Sequence, residues 1–167
     1  MESKLQNVKR TILASAKAHR IAVLAIILYG SRARGDYSFD SDYDIFTLLG
    51  NRTTLLQFVQ FSSEFRMASY RLGPIKMYSC REEDFLSMLT KNPYLGAFCY
   101  IIATEGILIY ENKNSFARLT RQVQRLPHRK RRWCIENCLK MSTQLGSPKW
   151  INFWQRKLDE FDSKKHR

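Results

Sequence analysis

The sequence predicts an α/β (α+β) chain: a small mixed sheet flanked by helices, followed by a basic helical C-terminal segment. Three observations carry this. Ile21–Tyr29 is a nine-residue apolar run rich in Ile, Val and Leu and closed by Gly30, short and β-branched enough for a buried strand. Helix-period and strand-period patterns alternate along the rest of the first two-thirds of the chain. The charge is divided unevenly along the 167 residues. The whole chain carries 28 Lys+Arg against 15 Asp+Glu, for a net +13. Residues 1–112 hold 13 and 11 of these, whereas residues 113–167 hold 15 and 4. The boundaries that follow are a nearly neutral domain over 1–112 and a basic helical extension over 113–167.

The elements are justified in order. Residues 3–20 place Leu5, Val8, Ile12 and Ala16 at helical spacing and predict an amphipathic helix. Ile21–Tyr29 follows as the first strand. Residues 31–41, with Gly35, Asp36, Ser38, Asp40 and Ser41, predict a turn and loop. Tyr43–Leu49 is a second strand closed by Gly50 and Asn51. Thr53–Tyr70 is helical, with Leu55, Leu56, Phe58 and Val59 expected to form its apolar face. Gly73-Pro74 ends it, and Ile75–Cys80 is a third strand, alternating Ile75 and Met77 against Lys76 and Tyr78. Glu82–Lys91 opens on three acids, which suits the positive end of a helix dipole. Pro93 starts a further helix to about Thr104, and Ile107–Tyr110 is a short last strand. Ser115–Arg125, Lys130–Leu145 and a weaker pattern from Pro148 are helical, separated by Pro127 and by Gly146-Ser147-Pro148.

Composition excludes several classes. A 44% hydrophobic and 13% aromatic content can bury a core, which excludes wholesale disorder, and 7 Gly with 4 Pro exclude collagen-like architecture. The longest apolar run falls well short of the ~20 residues of a membrane span. The polar start from Met1 is unlike a signal peptide. Cys80, Cys99, Cys134 and Cys138 show no C-x-x-C spacing and are expected as reduced core thiols. These features together predict a cytoplasmic protein with no membrane partner.

Chemistry concentrates in Leu28-Tyr29-Gly30-Ser31-Arg32-Ala33-Arg34-Gly35-Asp36 and Asp40-Ser41-Asp42-Tyr43-Asp44-Ile45. A strand ending in Gly-Ser lets a ligand approach the backbone closely and offers a hydroxyl beside free N–H groups, an anion site. Arg32 and Arg34 bring positive charge beside it, as phosphate partners or as surface arginines. Asp42 and Asp44 alternate along the next strand, so both carboxylates share one face, roughly 6–7 Å apart. Two unpaired carboxylates repel, and a divalent cation removes that penalty. Magnesium favours one or two carboxylates together with phosphate oxygens. A phosphate cradle facing an Asp-x-Asp pair therefore suits a Mg²⁺-bound nucleoside triphosphate.

Gly30-Ser31, ten intervening residues, then Asp42-Tyr43-Asp44-Ile45 resembles the signature of the DNA polymerase β-like nucleotidyltransferase superfamily. With its Arg-Ala-Arg-Gly filler the string is similar to the small stand-alone members called minimal nucleotidyltransferases. The resemblance covers about Lys4–Glu111 and implies the nucleotidyltransferase fold. It further implies transfer of a nucleoside monophosphate from an NTP, in the first instance ATP, to an acceptor hydroxyl. In that scheme Gly30 and Ser31, with Arg32 and Arg34, bind the nucleotide. Asp42 and Asp44 are the catalytic metal ligands for a two-metal Mg²⁺ site, with Mn²⁺ as the alternative ion. The resemblance also implies a macromolecular acceptor, either RNA or an acidic partner protein such as a HEPN-type toxin.

One departure from the family pattern stands out. Members usually carry a third carboxylate on the next central strand, where this sequence has Lys76, and no Asp or Glu occurs from Met67 to Arg81. Either another acid supplies it, with Glu64 and Glu105 as candidates, or two ligands suffice, or the protein binds nucleotide without turnover. The last option makes it a nucleotide- or RNA-binding regulatory protein of the same fold.

The remaining residues divide between structure and docking. Asp36 and Asp40 are expected as turn formers, and His19, His128 and His166 form no ligand spacing. Trp133, Trp150 and Trp154 are expected to pack helices. Arg129-Lys130-Arg131-Arg132 places four cations at the start of a helix, against its dipole, which makes them candidate contacts for an anionic partner. Binding through such a run weakens with salt.

Overall fold

The computed structural model describes residues 2–163, and His166 lies outside them. The order of elements is α1 (Glu2–Ala18), β1 (Val23–Tyr29), α2 (Gly30–Arg34), β2 (Tyr43–Leu49) and α3 (Leu55–Ser69). A 3-10 turn (Tyr70–Leu72) leads to β3 (Ile75–Arg81), α4 (Glu82–Lys91), α5 (Pro93–Glu105) and β4 (Ile107–Glu111). Three helices follow, α6 (Ser115–Gln124), α7 (His128–Gln144) and α8 (Pro148–Ser163). None of the described helices is long and apolar enough to cross a membrane.

The four strands form one mixed sheet in the order β3-β2-β1-β4. β1 lies antiparallel to both β2 and β4, while β2 and β3 are parallel. Leu28 faces Ile45 across β1 and β2, and Ile45 faces Met77 across β2 and β3, so this row is apolar across three strands, while Thr47 and Ser79 bring hydroxyls to the next row on the same side. Val8, Ile12 and Ala16 of α1 and Phe61 and Phe65 of α3 complete that core with Ile26, Leu28, Tyr43 and Ile45. Residues one step along alternate to the opposite side, as strand geometry requires. Ile27 and Phe46 meet there, with Tyr29 and Asp44 at the end of the same row.

α3 corrects the expected helix face. Leu55, Leu56 and Val59 point outward, Leu55 being 79% exposed, and the buried residues are Phe61, Phe65 and Ser69. The i, i+4 spacing of the aromatics gives larger rings to the core than the Leu-rich first turn offers. The helix begins at a capping box, in which the Thr54 side chain accepts from the Gln57 N–H and the Gln57 side chain accepts from the Thr54 N–H. Residues 31–34, expected as part of a turn and loop, instead join Gly30 in one helical turn, and the N–H of Gly35, in the left-handed region, donates to the Ser31 carbonyl.

The chain packs into two compact units, and the division differs from the boundary at 112/113 suggested by charge. The first unit runs to Asp84 and resumes over Glu105–Arg118. The second comprises Phe85–Thr104 and the residues from Leu119 onward. Apolar pattern, not charge, decides which helices cluster. In the second unit Ala97, Ile135, Cys138 and Trp154 are buried together, with Trp150, Phe153 and Phe161 against them. Trp150 and Trp154 thus pack helices, and all four cysteines are free, buried thiols.

Gly96 lets α5 approach α4. A Cβ there would lie 2.9 Å from the Met88 carbonyl oxygen and 3.1 Å from that of Leu89. Gly96→Ala is expected to cost about 1–3 kcal/mol in urea unfolding, because backbone must move to admit the methyl.

Candidate active site

The site is assembled at the end of β1 and the beginning of β2. The run of β1 ends at Tyr29, and Gly30 turns the chain with φ +75°, a conformation that side-chain-bearing residues rarely adopt. Tyr29 pairs in register with Asp44 on the adjacent strand. The Asp44 carboxylate lies over Gly30 so closely that a Cβ on Gly30 would fall 2.3 Å from Asp44 Oδ2. Glycine is therefore required twice at this position, for its backbone and for the space above it. Ser31 follows in the first turn of α2, where the Asp36 N–H donates back to the Ser31 carbonyl at 3.1 Å. Gly30, Ser31 and Asp44 are thus gathered at one end of the sheet.

Asp42 precedes β2 and meets Lys76, whose Nζ lies 2.5 Å from Asp42 Oδ2. Lys76 is the in-register partner of Asp44 on β3, and β3 carries no carboxylate. Of the acids named as possible replacements, neither is on β3. Glu64 of α3 pairs with His19 at 2.5 Å, and Glu105 acts electrostatically on Arg34.

The electrostatics follow from burial at this corner. Desolvation raises the Asp44 carboxyl above its usual range, and Asp42 adds to the rise, while Lys76 and Arg34 pull the other way. Burial, then Asp44 and Tyr78, pushes the Tyr29 hydroxyl up, so that it stays a protonated phenol. Lys76 is held protonated by its hydrogen bond and charge interaction with Asp42. Burial lowers Arg34, against which Asp36, Glu105 and Asp44 all act.

Ionised Asp44 is a stability cost, and its sign can be worked out. With its folded pKa raised, the native state binds more protons, so stability falls as pH rises from the ordinary carboxylate value to the raised one. Asp44→Asn is expected to raise the Tm by a few degrees at about pH 7 in metal-free buffer and by less at about pH 4.

The two arginines have different surroundings. Arg32 Nε and Nη2 both donate to the Ser41 carbonyl, at 3.0 and 2.7 Å. Its guanidinium also stacks 4.0 Å from the Tyr43 ring centroid and 4.7 Å from that of Tyr37. It fastens the loop that delivers Asp42. Arg34 lies inward, 3.7 Å from Asp36 and within the field of Asp44. Asp40 accepts a hydrogen bond from Ser38, which holds its carboxyl below the usual range and fits a turn role. Tyr29, Tyr37 and Tyr78 were not legible as site residues. Tyr78 is identified only by its strand register, which stacks it on Phe46, two residues along β2 from Asp44 and on the same face.

The basic run lies in the second unit at the start of α7. Arg132 donates to Glu136 and, through Nε at 2.9 Å, to Asp162, tying α7 to α8. Lys130 sits 3.4 Å above the Trp133 ring. Arg129 is exposed.

No group of three or more His, Cys, Asp or Glu side chains placed to hold a metal occurs among the described residues. The pair Asp42 and Asp44 still fits Mg²⁺. It supplies two hard oxygen donors on one face, one of them destabilised by burial in its ionised form, beside a backbone cradle where phosphate oxygens would complete the shell.

Comparison with known proteins places the chain. The family model described as polymerase beta, nucleotidyltransferase, matches residues 11–115. No curated protein matches the chain. Among solved structures, a toxin–antitoxin with AMP-PNP aligns at 14% identity over 68% of this chain and 81% of that one, with a TM-score of 0.44. A mutant of the MntA-HpeT toxin–antitoxin aligns at 13% identity over the same shares, with a TM-score of 0.45.

Proposed function

Starting from the chain's membership of the polymerase beta nucleotidyltransferase family, we propose that it transfers a nucleoside monophosphate from a Mg²⁺-bound NTP, ATP in the first instance, to a hydroxyl of a macromolecule. The observation that carries this reading is the seating of the Asp44 carboxylate over Gly30, which puts an acidic ligand and a phosphate cradle in one corner. The Gly30 and Ser31 turn binds the β and γ phosphates. Asp42 and Asp44 hold Mg²⁺, which neutralises phosphate charge and polarises the α-phosphorus when bound. Arg34, half-buried and within the field of Asp44, balances charge at the base of the site. Arg32 keeps the 37–43 loop in place, so that Asp42 is presented on the same face as Asp44. The acceptor oxygen bonds to the α-phosphorus as the α–β bridging bond breaks, and pyrophosphate leaves with the electron pair. With no carboxylate on β3, the hydroxyl proton goes to solvent.

The test is incubation with α-labelled NTPs, Mg²⁺ and either total RNA or a protein extract that contains the product of a neighbouring gene. Label that stays with the macromolecule supports the reading, and its removal by ribonuclease or by protease assigns the acceptor. Absence of label from every fraction favours a nucleotide-binding regulatory role, for which the Lys76–Asp42 ion pair is the supporting observation.

The basic C-terminal segment is proposed to dock the anionic partner, since residues 113–167 hold 15 Lys+Arg against 4 Asp+Glu. Arg129 and Lys130 are the contacts expected from the basic run, with Arg131 beside them, whereas Arg132 serves the α7–α8 tie. In a filter-binding series, affinity for RNA is expected to fall by at least about tenfold between 50 and 200 mM salt. An affinity unchanged over that range would remove RNA as the docked partner.

A further inference from the structure

The carboxylate pair is already partly neutralised by the protein itself. Lys76 Nζ lies 2.5 Å from Asp42 Oδ2, a charge-assisted contact. Lys76 is hydrogen-bonded in parallel register beside Asp44, and the Tyr43 N–H donates to the Pro74 carbonyl at 2.9 Å, so the chain next to Asp42 and the chain next to Lys76 are joined. A lysine on an edge strand commonly serves to discourage pairing with another sheet. The Lys76 side chain is 71% exposed, yet its ammonium reaches Asp42 beside Asp44, on the face that carries both acids. Asp42 and Asp44 together bring a formal charge of −2, and Lys76 reduces it to −1. One divalent cation then overcompensates the protein ligands by a single charge, so a second ion would have to be held by the nucleotide phosphates, where it competes with the ammonium for the same oxygens.

We propose that Lys76 stands in place of one divalent cation, so that the site takes a single metal ion, held chiefly by Asp44. This inference rests on the nucleotide-binding function proposed above. Asp42 then orients Lys76 toward the nucleotide phosphates, and the ammonium supplies, as a fixed point charge, the electrostatic role that a second ion would otherwise have. The chain therefore needs no acid on β3, because the charge that such an acid would recruit is built into the strand.

The test counts bound Mn²⁺ on the full chain. The free-ion electron paramagnetic resonance signal is titrated in the presence of the α,β-methylene analogue of ATP, which binds without being cleaved. The wild type is expected to bind one Mn²⁺ per nucleotide complex. Lys76→Asp is expected to bind two, the second at least about tenfold tighter than any second ion on the wild type. Lys76→Ala, which frees Asp42 without adding a ligand, is expected to bind the first ion more tightly, and circular dichroism checks that both variants are folded. Two ions on the wild type, or one on folded Lys76→Asp, would overturn the inference and leave the proposed function standing. Failure to bind the analogue at all would instead overturn the function.

Discussion

Gly30→Ala is expected to abolish both nucleotide binding and transfer while leaving a folded but weakened protein. Two costs coincide at this residue. The backbone sits at φ +75°, where a side chain is strained, and the new methyl would fall 2.3 Å from Asp44 Oδ2, with the Asp44 carboxyl carbon at 3.1 Å. No rotation of the alanine avoids the contact, so either the turn or the carboxylate moves. Together these are expected to cost about 2 kcal/mol or more. Displacement of a ligand by even about 1 Å is enough to lower turnover by about 100-fold. Thermal unfolding and label transfer on the same preparation check both halves. A variant with normal transfer would show that Asp44 does not act from its place above Gly30.

The second large effect concerns the acids themselves. Asp44→Ala and Asp42→Ala are each expected to reduce transfer by about 1,000-fold or more, the scale of several kcal/mol of charge stabilisation lost with a metal ligand or with the carboxylate that positions the Lys76 ammonium. The two should differ in stability. Asp44 is half-buried with a raised carboxyl, so its removal is expected to leave the apo protein as stable as before or more so. Asp42 neutralises Lys76, so its removal leaves that ammonium without its 2.5 Å partner. Activity lost from a protein that melts no lower than the wild type separates a chemical role from a structural one.

Much of this arrangement was legible in the sequence, and particular residues show why. The apolar run to Tyr29, the Gly30-Ser31 turn and the alternating Asp42 and Asp44 are local patterns that strand period and spacing predict, and the family resemblance of the string implies that they meet, as the pairing of Tyr29 with Asp44 has them. The strand bounds at Tyr43–Leu49 and the helix bounds at Glu82–Lys91 were read correctly for the same reason. The outward face of α3 was misread because Leu55, Leu56 and Val59 are apolar at helical spacing, as a buried face would be. Only the packing of Phe61 and Phe65 against α1 and the sheet decides between the two faces. The placement of Arg32 on the Ser41 carbonyl, of Glu64 on His19 and of Arg132 on Asp162 depends on contacts 9, 45 and 30 residues apart, which no local pattern encodes. The same holds for residues 85–104. Their association with the C-terminal helices cuts across the charge division and follows from the burial of Ala97 with Ile135 and Trp154.

The central claim is that the Gly30–Asp44 corner is a Mg²⁺-nucleotide site. Calorimetric titration of the α,β-methylene ATP analogue into wild type and Asp44→Ala, each with and without Mg²⁺, tests it most directly. Binding to the wild type is expected to require Mg²⁺ and to be lost in Asp44→Ala. Binding that is indifferent to Mg²⁺ and unchanged by the substitution would contradict it.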